Sequence, residues 1–209
     1  MADWVAISSL ATAGGTLALA GTTYLAVRSG NRSARTAERT LLAELRPLLI
    51  QSSPDDPAQR VGFADGVGVT APGGGVGVEV DDGKVYLVFS LRNVGPGIAV
   101  LHGGRAFPGR RGAGGEHAPL DEFRLLTRDI YIPSGKIGFW QIAFREPDDP
   151  VRAQMLEGVE SGAFSADILY GDYEGGQRVI TLFGVSLEAD GVWRHSAVRH
   201  WQVDRTDPR

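Results

Sequence analysis

The sequence predicts an all-β body, folded as an antiparallel sandwich of about eight strands, preceded by an N-terminal transmembrane helix and a basic juxtamembrane helix. Glycine is unusually common, at 29 of 209 residues, and 11 prolines accompany it; without a collagen repeat this excess indicates many tight turns. Short apolar runs separate the turns and do not alternate with helical segments, which favours antiparallel sheets. The transmembrane helix is predicted from residues 4–27, a run without a charged side chain.

The first residues are interpreted as a short exterior tail, residues 1–3, and a transmembrane helix, residues 4–27. A helix of this length measures about 36 Å, enough to cross a hydrocarbon core of roughly 30 Å. Arginines follow the run and no basic residue precedes it, so the positive-inside rule predicts an exterior N-terminus and a cytoplasmic body at the inner (plasma) membrane. A cleaved signal peptide is disfavoured, because it needs a basic segment before its apolar core.

One face of this helix carries small and hydroxyl residues that could pack against another transmembrane helix. The face consists of Ser8, Thr12, Gly15, Thr16 and Thr23. The alternative is that the hydroxyl groups bond back to carbonyl groups of their own helix.

Residues 28–50 are predicted to form a basic amphipathic helix, because arginines recur at helical spacing along one face. Four of them are predicted to contact anionic lipid headgroups: Arg28, Arg32, Arg35 and Arg39. The alternative is that they only satisfy the topology rule. Ser29–Asn31 could interrupt the helix. The apolar opposite side could pack on the body of the same chain, or on a second copy of the chain to give a homo-oligomer.

The remaining chain is divided into a linker, residues 51–59, a sandwich domain, residues 60–205, and a tail, residues 206–209. The strongest strand is Lys84–Arg92, and its alternation predicts one apolar face formed by Val85, Leu87, Phe89 and Leu91. One short helix is predicted within the body, at Val151–Ser161, ended by Gly162.

Charge and composition exclude several classes of function. The net charge is −4; residues 1–27 carry −1 and residues 28–46 carry +3, which leaves −6 for residues 47–209. An acidic body argues against a general nucleic-acid binder. The absence of cysteine excludes disulfides, thiol nucleophiles and cysteine-ligated metals, and no cofactor or metal is predicted.

No catalytic motif is present, so the chain is not predicted to be an enzyme. The histidines are His102, His117, His195 and His200, and a metal site would need them to converge from distant segments. Asp172 and Glu174 lie in a predicted hairpin turn, which accounts for them without catalysis.

The last predicted strand alternates aromatic and basic side chains, and Trp193, Arg199 and Trp201 are expected to share one face. Tryptophan and arginine are favoured in protein interfaces, so these three residues are a candidate rim for a protein partner. Base stacking on the same residues is disfavoured by the acidic body.

The sequence NVGPGIA, Asn93–Ala99, resembles the turn of immunoglobulin-like modules in bacterial surface and membrane-attached proteins. Together with LRNVGPGIAVLHGG, IYIPSGKIGFWQIAF and LYGDYEGGQRVITLFG, the layout resembles a group of single-pass membrane proteins from high-GC Gram-positive bacteria. The resemblance implies an immunoglobulin-like sandwich and no activity.

The function predicted from the sequence is a membrane-anchored cytoplasmic β-sandwich that acts as a non-catalytic protein-binding or assembly module. A first alternative is a membrane-tethered hydrolase or ligand-sensing domain that uses Asp172, Glu174 and the histidines. A second is a surface-exposed adhesion domain, which requires the opposite topology.

Overall fold

The computed structural model of the chain describes residues 2–204, except for the side chains of residues 2–13 and of Ala18. The chain divides into two compact units, Met1–Ala43 and Glu44–Arg209. The first is a helix and the second, called the body below, contains the sheets.

Helix α1 runs without interruption from Ala2 to Glu44. The possible interruption at Ser29–Asn31 is therefore absent, and the predicted helix of residues 28–50 is continuous with the segment before it. It ends earlier than predicted, since Leu49–Gln51 forms a strand. Pro47 separates the two elements, as expected for a residue that cannot continue a helix.

The predicted transmembrane helix is wrong, and with it the fold class that included a single membrane span. Among the residues whose side chains the structure describes, no helix is long and apolar enough to cross a membrane. The first part of the predicted span, residues 4–13, lies outside that set. The physical reason is that residues 4–27 are uncharged without being strongly apolar: they include six serine or threonine residues, three glycines and six alanines. Serine, threonine and glycine lower the mean hydropathy of such a run, and alanine raises it less than leucine, isoleucine or valine does. The predicted cytoplasmic location of the body, which was derived from this span, stays a prediction.

The body is mostly β and its sheets are antiparallel. Its strands are β1 Leu49–Gln51, β2 Gln59–Gly62, β3 Gly68–Ala71, β4 Val76–Asp81, β5 Lys84–Asn93, β6 Ala99–Pro108, β7 Arg124–Ile132, β8 Ile137–Phe144, β9 Ala163–Gly171, β10 Val179–Leu187 and β11 Trp193–Gln202. A 3-10 helix, Leu120–Glu122, precedes β7, and helix α2, Pro150–Glu160, joins β8 to β9.

The described part of the body thus has eleven strands where about eight were predicted. The segment 60–70 forms the hairpin β2–β3, which turns at Gly66 with a φ of +88° that favours glycine. Strand β1 lies in a segment that was assigned to the basic helix and the linker. The helix predicted at Val151–Ser161 is confirmed at Pro150–Glu160.

Two main sheets form the body. In the first, β5 is central, with β8 on one side and with β1 and β4 sharing the other side. The second sheet has the order β11-β10-β9-β6-β7. Strands β7 and β8 therefore lie at sheet edges, each hydrogen-bonded to one neighbouring strand, and the hairpin β2–β3 forms a small sheet of its own.

The main core lies between the two large sheets and contains residues of both. The predicted apolar face of β5 is confirmed, because its four residues all belong to this core. Tyr86 and Val88 alternate with them and pack instead against the β2–β3 hairpin. In the core, β6 passes close over Trp140, and a Cβ atom at Gly104 would overlap its ring.

Candidate functional site

A groove runs along the edge strands β7 and β8, beside the end of the β2–β3 hairpin. Its volume is about 390 Å³. Residues of all three elements line it, including Phe63, Arg124, Leu125, Arg128, Gln141 and Arg145. Because β7 and β8 each pair with one strand only, unpaired backbone groups border the groove, which is the condition that lets a further strand attach to a sheet.

Strand β7 is irregular where it borders the groove. Its pairing with β6 jumps from Leu125–Gly103 to Ile130–Leu101, so residues 126–129 lie opposite His102 alone. Bulges of this kind are common at sheet edges and next to binding sites. On the same strand, Leu125 and Tyr131 are 73% and 57% exposed, although large apolar residues are more often buried.

Three arginines of the groove are held against aromatic rings. The guanidinium carbon of Arg124 lies 4.7 Å from the ring centre of Phe144, and that of Arg128 lies 5.3 Å from the ring centre of Phe139. The guanidinium carbon of Arg145 lies 5.7 Å from the ring centre of Phe63. Contacts of this kind hold a guanidinium group in place by cation–π attraction while its N–H groups can still bind an anion.

The three arginines differ in their polar partners. Arg124 forms an ion pair with Asp149, and Nε of Arg145 lies 2.8 Å from Oδ2 of Asp65. Arg128 donates to the amide oxygen of Gln141 at 2.7 Å, and it has no carboxylate partner among residues 2–204. The residues that line the groove thus include three arginines and no carboxylate, and two of these arginines pair with carboxylates outside the lining.

Both carboxylates that pair with these arginines also have a second partner in the body. Oδ1 of Asp149 accepts from the backbone N–H of Val151 at 3.0 Å and caps α2. Oδ2 of Asp65 accepts from the Tyr86 hydroxyl at 2.6 Å, and this bond, more than Arg145, holds the pKa of Asp65 below its usual value. Neither carboxylate would be left without a partner if its arginine turned to another anion.

The predicted partner rim of Trp193, Arg199 and Trp201 is not one face. Trp193 packs on Phe164 and the main core, whereas Trp201 belongs to a cluster on the outer face of the second sheet. The cause is a register shift in β11, where Leu182 pairs with Arg199 but Phe183 pairs with Ala197. An extra residue in a strand reverses the side to which later side chains point.

The four histidines lie in separate surroundings. His102 is half-buried beside Gly171, and burial, followed by the charge of Arg178, lowers its pKa. His117 packs on Trp201, His195 contacts the backbone oxygen of Ser90, and His200 bonds Thr181. Within residues 2–204, no group of three or more His, Asp or Glu side chains could hold a metal ion.

Asp172 acts as a turn residue, as the sequence suggested. It is buried, and its carboxylate accepts from Gly176 N at 2.9 Å and from the Gln177 side-chain amide at 3.1 Å. Glu174 is exposed at the tip of the same hairpin. The hydrolase alternative required these residues and the histidines to meet in one pocket. His102 lies close enough to Asp172 for the charge of that carboxylate to oppose the lowering of the His102 pKa, whereas His117, His195 and His200 contact other residues.

The arginines predicted for lipid contact are all exposed on α1, and they line one strip of that helix. Their contact with anionic headgroups stays a prediction. On the predicted packing face, Gly15, Thr16 and Thr23 are exposed, while the side chains of Ser8 and Thr12 lie outside the described part of the structure.

A buried charge holds the loop that follows β6 against the outer face of the second sheet. Asp167 of β9 is fully buried, and its Oδ2 accepts from Ala118 N at 2.8 Å and from Arg111 at 3.2 Å. Burial raises the pKa of this carboxyl group. These contacts within the fold give Asp167 a structural role.

None of the three groove arginines was predicted as a site residue. The available signal was local and weak: the segment RLLTRDIYI of β7 combines two arginines four residues apart with large apolar residues. Nothing in the sequence relates Arg145 to this strand. No family model matches the chain, and it has no match among curated proteins or solved structures. The immunoglobulin-like resemblance of Asn93–Ala99 therefore stays a prediction.

Proposed function

We propose that the body is a protein-binding module without catalysis of its own, and that it holds an extended segment of another protein chain in the groove along β7 and β8. The observation that carries this proposal is the combination of two open strand edges with three arginines that are held on aromatic rings. Extended segments bind sheet edges through main-chain hydrogen bonds and gain specificity from side-chain contacts beside the edge.

A structural explanation for the same residues is that the charges protect the strand edges from aggregation, as they do in many natural sheets. Protection from aggregation does not account for the exposure of Leu125 and Tyr131 on β7, because a protective edge would not present large apolar side chains to solvent. Arginine and exposed aromatic or aliphatic residues together are the composition of a binding surface.

Site-specific photocrosslinking can test this proposal, since the chain has no cysteine and a single one can be introduced and labelled. A benzophenone maleimide on Thr127→Cys would lie in the groove. We expect it to crosslink one protein from an extract of the cells of origin, with the attachment mapped by mass spectrometry to one short segment. The same crosslinked product should be lost when Arg128→Glu is combined with the labelled Thr127→Cys.

The matched control is Ser196→Cys with the same label, at an exposed position on β11 away from the groove. Identical products from both positions would contradict the proposal, because they would indicate non-specific capture. Crosslinking of Thr127→Cys to a second copy of the chain would also contradict it and would assign the groove to self-association.

A further inference from the structure

We infer that the segment bound in the groove is acidic, with carboxylate side chains of glutamate or aspartate that meet Arg124, Arg128 and Arg145; this inference depends on the proposed function and specifies its partner. The groove offers three guanidinium groups, and among residues 2–204 Arg128 has no carboxylate partner. Guanidinium and carboxylate groups form the strongest paired hydrogen bonds available to protein side chains.

The arrangement of Asp65 and Asp149 would let Arg145 and Arg124 exchange these carboxylates for those of a bound segment. Each of these carboxylates marks a position where a guanidinium group of the groove already binds an anion. Each also keeps a second hydrogen bond, from Tyr86 or from the start of α2, when the arginine leaves. An incoming carboxylate can therefore replace the internal one, and the cost of an unpaired buried anion does not arise.

The surrounding charge favours a short acidic segment over a long polyanion. The body from residue 47 onward carries −6, so a nucleic acid strand that extends beyond the groove would meet repulsion. A peptide of alternating glutamate and valine places its carboxylates on one side and its apolar side chains on the other when it is extended. Such a peptide suits a groove lined by both arginine and leucine.

The test is a titration of the full chain with two fluorescent hexapeptides, one of alternating Glu and Val and one in which Gln replaces each Glu. We expect the acidic peptide to bind at least 10-fold more tightly, and its affinity to fall as salt is raised. Arg128→Gln should weaken binding of the acidic peptide about 10-fold and leave the neutral peptide unaffected.

Arg110→Gln is the matched control, since Arg110 is also an exposed arginine but lies in the loop after β6, and it should change neither affinity. Equal binding of the two peptides in the groove would overturn the inference on acidity and leave the proposed function standing. Failure of the acidic peptide to bind, or tighter binding of a single-stranded oligonucleotide, would overturn the inference; the crosslinking experiment then decides the proposed function separately.

Discussion

Replacement of Asn93 by alanine is expected to lower the free energy of unfolding of the body by about 4 kcal/mol. Asn93 is fully buried, and its side chain satisfies four backbone groups. Oδ1 accepts from Leu48 N at 3.1 Å and from Gly95 N at 3.0 Å; Nδ2 donates to Gly97 O at 2.7 Å and to Ile132 O at 2.9 Å. Alanine would leave all four without this partner, and an unsatisfied buried group costs about 1–3 kcal/mol.

Urea unfolding followed by circular dichroism measures this loss. Ser134→Ala is the matched control: the Ser134 hydroxyl donates to Gly95 O at 2.7 Å in the same region, but one neutral bond near the surface should contribute only about 1 kcal/mol. If Asn93→Ala lowered the free energy of unfolding no more than Ser134→Ala does, the hydrogen bonds of Asn93 would not be what stabilises the turn that follows β5.

Acidification from pH 7 to pH 5 is expected to cost the body about 2 kcal/mol of stability through His195. This side chain is only 5% exposed and lies 5.3 Å, between ring centres, from both Phe89 and Phe183. Burial lowers its pKa to about 4. In the unfolded chain the pKa is about 6.5, so the unfolded state takes up a proton first. The stabilisation is therefore complete above about pH 6.5 and is lost as the pH falls toward 4.

The variant His195→Gln cannot take up this proton. The loss of its free energy of unfolding between pH 7 and pH 5 should therefore be about 2 kcal/mol smaller than the loss in the unsubstituted chain. Urea unfolding at both pH values makes the comparison. His102, whose pKa is also lowered by burial, serves as the control position, and His102→Gln should retain the larger part of the pH dependence. An unchanged pH dependence in His195→Gln would show that His195 is not held neutral by the fold.

The parts of the fold that local sequence determines were predictable. The alternation along β5 correctly identified its inner face, because a strand with one side in the core must alternate. Helix α2 was predicted within one residue at each end, since Asp149, Pro150 and Gly162 mark its limits. The motif around Asn93 was recognised as a turn, but the reason for its glycines was not: Gly97 passes so close to Leu45 that a side chain would overlap the backbone there.

The errors have physical causes that sequence spacing does not reveal. Residues 4–27 were taken as a membrane span because they lack charge, although their hydroxyl groups and glycines make them only weakly apolar. The faces of β11 were assigned from simple alternation, which its register shift reverses. Two of the groove arginines lie on β7, and Arg145 directly follows β8 of the other sheet, so only the fold brings Arg124 and Arg145 together.

Amide hydrogen exchange with and without saturating acidic peptide tests the central claim, that the groove along β7 and β8 binds an extended protein segment. A segment that pairs with these edges should slow exchange at the backbone N–H groups of residues 126–129 and at the groove side of β8 by at least about 10-fold. The N–H groups of β11 at the opposite edge of the second sheet should be unaffected. Slower amide exchange in β11 or in the residues that pack around Trp201, with no change along β7 and β8, would contradict the account.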